Sequence, residues 1–229
     1  MDGADFGAVA ALIGEPARAA ILEALMDGNA LPAGKLARRA GVSPSTASGH
    51  LARLLDGGLV LCEPQGRERL YRLASAQVAD ALEALARIAP AAAIRSLRSF
   101  DRAAALRSAR TCYDHLAGLV GVGVTEALVR RGALVPHGGA YTLAPEGEDL
   151  LERLGVDVAA ASGQRRSFAR ACLDWSERRP HLAGALGAAV AQAFLANGWL
   201  KGRPAGRALT VTPAGAATLH RVLGIDLDE

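Results

Sequence analysis

The chain has 229 residues, 51% of them hydrophobic and only 4% aromatic, so a core built from Leu, Val and Ala is within reach and extended disorder is excluded. The net charge is +3 and the pI about 9.0, with Lys35 and Lys201 the only lysines; arginine binds phosphate and guanine bidentately, although a GC-rich coding bias accounts equally well for its excess. The start Met1–Asp5 lacks a basic leader and three cysteines make no disulfide framework, so a reduced, cytoplasmic chain is expected.

Residues 7–26 place Val9, Leu12, Ile13, Ile21, Leu22 and Leu25 at apolar positions, with Pro16 near the middle. Two short helices are predicted, the second starting at Glu15-Pro16 and ending at Gly28-Asn29. The next helix runs from Pro32 to Ala40, anchored by Leu36, and Gly41 suits a left-handed cap behind it. Ser43 is a strong N-cap and Pro44 fits the first helical position of the stretch "VSPSTASGHLARLL". Ala47, Leu51 and Leu54 recur at i, i+4, i+7 and face the core. Ser45, Ser48, Gly49 and Ala52 then face outward, flanked by Thr46, His50 and Arg53. A small, polar outer face at a helix N-terminus is what close approach to a major groove requires, and its N–H groups favour phosphate. Gly57-Gly58 leads into a strand at Leu59–Cys62, Gln65-Gly66-Arg67 reads as a turn, and Glu68–Leu73 alternates as a second strand. Residues 31–73 carry seven basic and three acidic side chains, a local +4 that exceeds the charge of the whole chain.

The segment "ALIGEPARAAILEALMDG", followed by the capped helix, Gly-Gly, strand and basic turn, resembles the ArsR/SmtB-type winged helix-turn-helix regulators over roughly residues 8–90. The resemblance implies a mainly α fold with small β-hairpin wings, a DNA-binding domain at residues 1–90, and a homodimeric transcriptional regulator, a repressor in the leading reading, with double-stranded DNA as partner. Ser43, Ser45, Thr46, Ser48 and His50 are then expected at base edges or nearby phosphates, and Lys35, Arg38, Arg53, Arg67 and Arg69 on phosphate. Metal sensors of that family often carry Cys-x-Cys before the recognition helix, whereas "LPAGKLARRAG" has no Cys or His. A second familiar site uses Asp and His on the C-terminal dimerisation helix; "SAQVADALEALARIAP" has Asp80 and Glu83 but no His. Its face Val78, Leu82, Leu85 and Ile88 implies a dimer contact or packing within the chain.

Arg95, Arg98, Arg102, Arg107 and Arg110 line the connector that follows, either as a solvated face or as further DNA backbone contacts. Residues 91–229 read as a duplicated, winged-helix-like sensing or dimerisation domain, with copies at about 110–157 and 170–226, each an expected helix–hairpin–helix unit. "RTCYDH" followed by "LAGLVGVGVTEALVRRGAL" parallels "RACLDWSERRPH" followed by "LAGALGAAVAQAFLANGWL", with Trp175–Pro180 inserted in the second copy. Leu182–Leu200 is uncharged over 19 residues, but it is Ala/Gly-rich and has a charged relative in the first copy, so a buried helix rather than a membrane span is expected.

Cys112, Asp114 and His115 in one copy answer Cys172, Asp174 and His181 in the other. Cys112 and His115 are expected at i, i+3 on a helix. Three uses stay open: packing, a redox-switchable or thiol-reactive sensor, and a metal site built from Cys112, His115, Cys172 and His181. No cofactor is required for DNA binding; a small-molecule, metal or redox effector fits the extra half. Cys62 is expected to pack on its strand. The alternatives are a thiol-dependent enzyme and a protein-interaction module built on winged helices. G-x-G-x-x-G, Walker, H-E-x-x-H and G-x-S-x-G motifs are absent.

Overall fold

The computed structural model describes residues 3–66, 68–90, 96–203 and 206–227. The chain forms two compact units, Met1–Leu85 and Ala86–Glu229.

The first unit begins with α1 (Phe6–Ile13) and α2 (Pro16–Leu25). Asp5 caps α1 by accepting from the Ala8 amide, and Glu15 caps α2 by accepting from the Arg18 amide. The buried Arg18 donates from Nε to the Leu12 carbonyl at 2.7 Å and from Nη2 to the Ala11 carbonyl at 2.8 Å, satisfying acceptors that the end of α1 would otherwise leave open. β1 (Leu31–Pro32) precedes α3 (Ala33–Ala40), and α4 (Pro44–Asp56) follows a turn in which Gly41 adopts φ 67°, the left-handed conformation that the composition implied. Leu36, Ala47, Leu51 and Leu54 are all buried. β2 (Val60–Gln65) and β3 (Glu68–Leu73) form the wing, and β1 adds to β3 in a three-stranded antiparallel sheet ordered β1-β3-β2. On α5 (Ala76–Ile88) the inward positions are Ala79 and Glu83, while Leu85 and Ile88 are 40% and 81% exposed.

The second unit opens with α6 (Leu97–Ser108). A hairpin follows, β4 (Arg110–Cys112) and β5 (His115–Ala117), then α7 (Gly118–Arg130), a second hairpin, β6 (Leu134–His137) and β7 (Ala140–Leu143), and α8 (Pro145–Arg153). After α9 (Val158–Ser162) the order hairpin, helix, hairpin, helix recurs: β8 (Arg170–Leu173), β9 (Pro180–Ala183), α10 (Gly184–Ala196), β10 (Leu200–Gly202), β11 (Leu209–Val211) and α11 (Pro213–Thr218), which widens into a π-helical turn at Leu219–Leu223. Strands β6-β7-β8-β9 form one antiparallel sheet. α7 and α10 are buried over most of their length and share a core with α8, α9 and the final turn, centred on Leu128, Leu151, Leu186 and Phe194. Gly118 and Gly184 occupy the same place in the two stretches, at φ 76° and 84°, where a Cβ would lie 2.6 Å from the carbonyls of Arg107 and Ser167. Only glycine lets a strand turn straight into a helix under that ceiling. Among the described residues no helix is long and apolar enough to cross a membrane; Leu182–Leu200 is divided between β9, the buried α10 and β10.

One expectation is corrected here. Cys112 and His115 do not share a helix: they face each other across the β4–β5 hairpin as directly paired residues. Cys172 and His181 are paired in the same way across β8–β9. The first hairpin turns on Tyr113 at φ 61°, a residue without the usual turn signature, so the pattern offered no strand signal.

Candidate functional site

In the first unit the surface of α4 is built from its cap upward. Ser43 Oγ accepts from the Thr46 amide at 3.2 Å and lies 2.9 Å from Ser45 Oγ and 2.8 Å from Thr46 Oγ1. These hydroxyls satisfy one another yet stay exposed, as do Ser48, Gly49, Ala52 and Arg53. Gly49 has open space where a Cβ would stand, so the helix presents a low surface at its first turns. Arg38 and Arg69 are exposed and Lys35 is half-buried. Arg69 Nε donates to Cys62 Sγ at 3.2 Å, which gives that half-buried thiol a polar contact rather than a purely packing one. Arg67 lies outside the described residues. His50 departs from its expected place: its side chain is 15% exposed and Nδ1 lies 3.4 Å from Glu15 Oε2, so it is turned toward α2 rather than toward a ligand. Glu15 sits below the usual carboxylate range, chiefly because it accepts from the Arg18 amide.

In the second unit, Cys112, His115, Cys172 and His181 converge. All four are buried, and their ligand atoms lie within 4.8 Å of one another. The two sulfurs are 3.9 Å apart and the two imidazole rings 5.1 Å between centroids, tilted by 35°. Each hairpin contributes a cysteine from its first strand and the opposed histidine from its second. Each histidine also has a carboxylate beside Nδ1, Asp114 for His115 and Asp174 for His181, both at 3.3 Å. Nε2 of both rings, and Nδ1 of His181, are buried without a hydrogen-bond partner. The hydrogen bond from Cys112, aided by His115 and His181, pulls the Cys172 thiol far below its ordinary range in spite of burial.

Asp174 anchors this arrangement. Its Oδ1 accepts from Arg110 Nη2 at 2.8 Å and from the Ser176 amide and hydroxyl, and its Oδ2 accepts from the Gly118 amide at 2.7 Å. Burial would raise its pKa, but His181, Arg110 and these donors outweigh it and hold the carboxyl ionised far below the usual range. Conversely, Asp174 and Cys172 raise the pKa of His181 against its burial. Arg110 is fully buried; it also donates to the Leu106 carbonyl and stacks 4.7 Å over the Trp175 ring. It is therefore no part of a basic connector surface, a second correction. Arg98 and Arg102 do lie exposed on α6, Arg107 bonds Glu177 at 3.0 Å, and Arg95 lies outside the described residues. Asp114 is held by Arg166. Sequence reasoning missed Arg110 and Arg166 as partners; the recurrence of Arg-x-Cys at Arg110 and Arg170 was the available signal for the first, and none pointed to the second.

Residues 13–63 match the helix-turn-helix domain family. The HTH-type transcriptional regulator YdfF of Bacillus subtilis is 41% identical over 219 residues, 96% of this chain and 97% of YdfF, so the likeness runs through both units. The HTH-type transcriptional regulator CmtR of Mycobacterium tuberculosis is 40% identical over 76 residues, 33% of this chain and 64% of CmtR. Among solved structures, the cadmium sensor CmtR of M. tuberculosis aligns at 32% identity over 40% of this chain and 94% of its own, with a TM-score of 0.33. With a capped, solvent-facing α4 beside its hairpin wing and a relative matching almost end to end, the chain belongs to the helix-turn-helix transcriptional regulators.

Proposed function

We propose that this regulator is a homodimeric, sequence-specific repressor that reads DNA with α4 and receives its effector in the second, duplicated half. The observation that carries the reading is the exposed face of α4, where Ser45, Thr46, Ser48 and Gly49 form a low polar surface beside Arg53, with Arg38 and Arg69 exposed on α3 and the wing. Two such helices about 34 Å apart would read the halves of a near-palindrome. Unpartnered apolar surface supports the dimer: no residue of α1 is buried, Phe6 is 69% exposed, and Leu85 and Ile88 are exposed on α5. The recurrence of hairpin, helix, hairpin, helix supports duplication of the second half, which a minimal regulator of this type does not need.

The test is a mobility shift of the full chain against DNA upstream of its own gene. A shift whose log affinity falls linearly with log salt supports the reading, because neutralised phosphates release counterions. Ser48→Glu, which puts a carboxylate on the exposed face, should abolish the shift and leave thermal unfolding unchanged. Absence of a shift, or indifference to salt and to Ser48→Glu, defeats it.

A further inference from the structure

We infer that Cys112, His115, Cys172 and His181 form a closed tetrahedral site for a divalent metal ion of the zinc class, zinc or cadmium. This names the chemistry of the effector left open above, and only its regulatory consequence rests on that reading. Four observations converge on it.

The first is spacing. Zn–S bonds of about 2.3 Å in a tetrahedron put two sulfurs roughly 3.8 Å apart. The sulfurs here are 3.9 Å apart, and all four donors fall within 4.8 Å. A disulfide needs about 2.05 Å between sulfurs and gives the two imidazoles no task.

The second is orientation. Asp114 and Asp174 lie 3.3 Å from Nδ1 of their histidines, so Nε2 is the ring nitrogen without a carboxylate beside it on both rings. A carboxylate on the far nitrogen is the arrangement that fixes tautomer and ring direction in metal-bound histidine. Both Nε2 atoms, and Nδ1 of His181, are buried without a hydrogen-bond partner, a costly state if the cluster merely packs.

Charge comes third. Asp174 is neutralised by Arg110 and Asp114 by Arg166. A metal bound here would displace the ligand protons and meet two thiolates and two neutral imidazoles. A divalent ion brings the buried site to zero, whereas a monovalent ion leaves it negative. Sulfur and imidazole donors select against magnesium and calcium, which take oxygen.

The fourth is closure. Ala117 and Ala183 pack with the two cysteines as an apolar shell, and all four ligands come from protein. Such a site binds and staples; it keeps no open position for catalysis.

The experiment titrates the full chain, reduced and stripped with chelator, with Co(II). The expected result is one ion per chain, with intense visible bands of tetrahedral cobalt and near-ultraviolet thiolate charge transfer, bleached by stoichiometric Zn(II). Cys112→Ser and Cys172→Ser should each weaken cobalt binding at least 100-fold, while Cys62→Ser keeps full stoichiometry. Because a ligand variant can fail to fold, thiol labelling of the wild type gives a second readout: zinc should protect two of the three cysteines. Weak six-coordinate spectra, less than stoichiometric uptake, undiminished binding in the double cysteine variant, or a Cys112–Cys172 disulfide forming in the presence of zinc would each overturn the site. Mobility shifts of stripped and zinc-loaded protein separate the two proposals. DNA binding without metal uptake defeats only the metal site; metal uptake without a DNA shift in either form defeats only the DNA-reading proposal.

Discussion

Arg38, Arg53 and Arg69 of the first unit are exposed, and His50 meets a partly exposed glutamate at 3.4 Å. In the second unit Arg110, His115 and His181 have almost no exposed surface and are held by a buried aspartate, a carboxylate–arginine pair and each other. The same side chains thus work under opposite conditions. Water screens the first set, so each charge is worth little to the fold and stays available to a phosphate-bearing partner. The second set has given up water, so every charge needs a partner inside the protein, and losing one partner endangers the fold.

This contrast can be broken most sharply at Asp174. Asp174→Ala strands the Arg110 guanidinium and the Gly118 amide in the interior and should destabilise the second unit by about 3–5 kcal/mol. Both tryptophans, Trp175 and Trp199, lie in that unit, so urea unfolding followed by tryptophan fluorescence reads it selectively. A midpoint close to wild type would show that the buried pair carries no such weight. Arg110→Met should cost less, because Asp174 keeps the Gly118 amide and the Ser176 amide and hydroxyl as donors; the reverse order in the same measurement would refute Asp174 as the anchor.

On the first unit the effects should shrink and move from stability to affinity. Ser43→Ala removes the α4 cap and should lower stability by about 1 kcal/mol, read from the circular-dichroism melt. Arg53→Ala should leave the melt unchanged, weaken binding to all DNA sequences alike, and reduce the slope of log affinity against log salt by about 1 per half-site. A sequence-selective loss would instead place Arg53 at a base edge. The smallest effect belongs to Arg72→Ala: its bond to Glu63 at 2.7 Å is exposed on both sides, and its removal should change stability by less than about 1 kcal/mol.

The first unit was legible because its signals are local. Glu15-Pro16, Gly41 and Ser43-Pro44 mark helix ends through contacts within four residues, and Ala47, Leu51 and Leu54 declare the buried face by spacing alone. His50 was misplaced for the complementary reason, since its partner Glu15 is 35 residues away on another helix. In the second unit the recurrence of Cys, Asp and His announced a paired cluster, but its secondary structure was misjudged. Tyr113 at φ 61° hid the first turn, and the six residues between Asp174 and His181 obscured the equivalence of the two hairpins.

The amino-acid pattern alone determined the helix-turn-helix, its capped outward face, the wing and the chemical kinds of residue gathered in the second half, because propensity, capping and periodicity act over one or two turns of chain. Only the tertiary structure decided that Cys112 meets Cys172 across 60 residues, that a carboxylate flanks Nδ1 of each histidine, and that Arg110 leaves the surface to neutralise Asp174. Those outcomes depend on strand pairing and on where buried charges find partners, and contacts between distant parts of a chain leave no spacing to read.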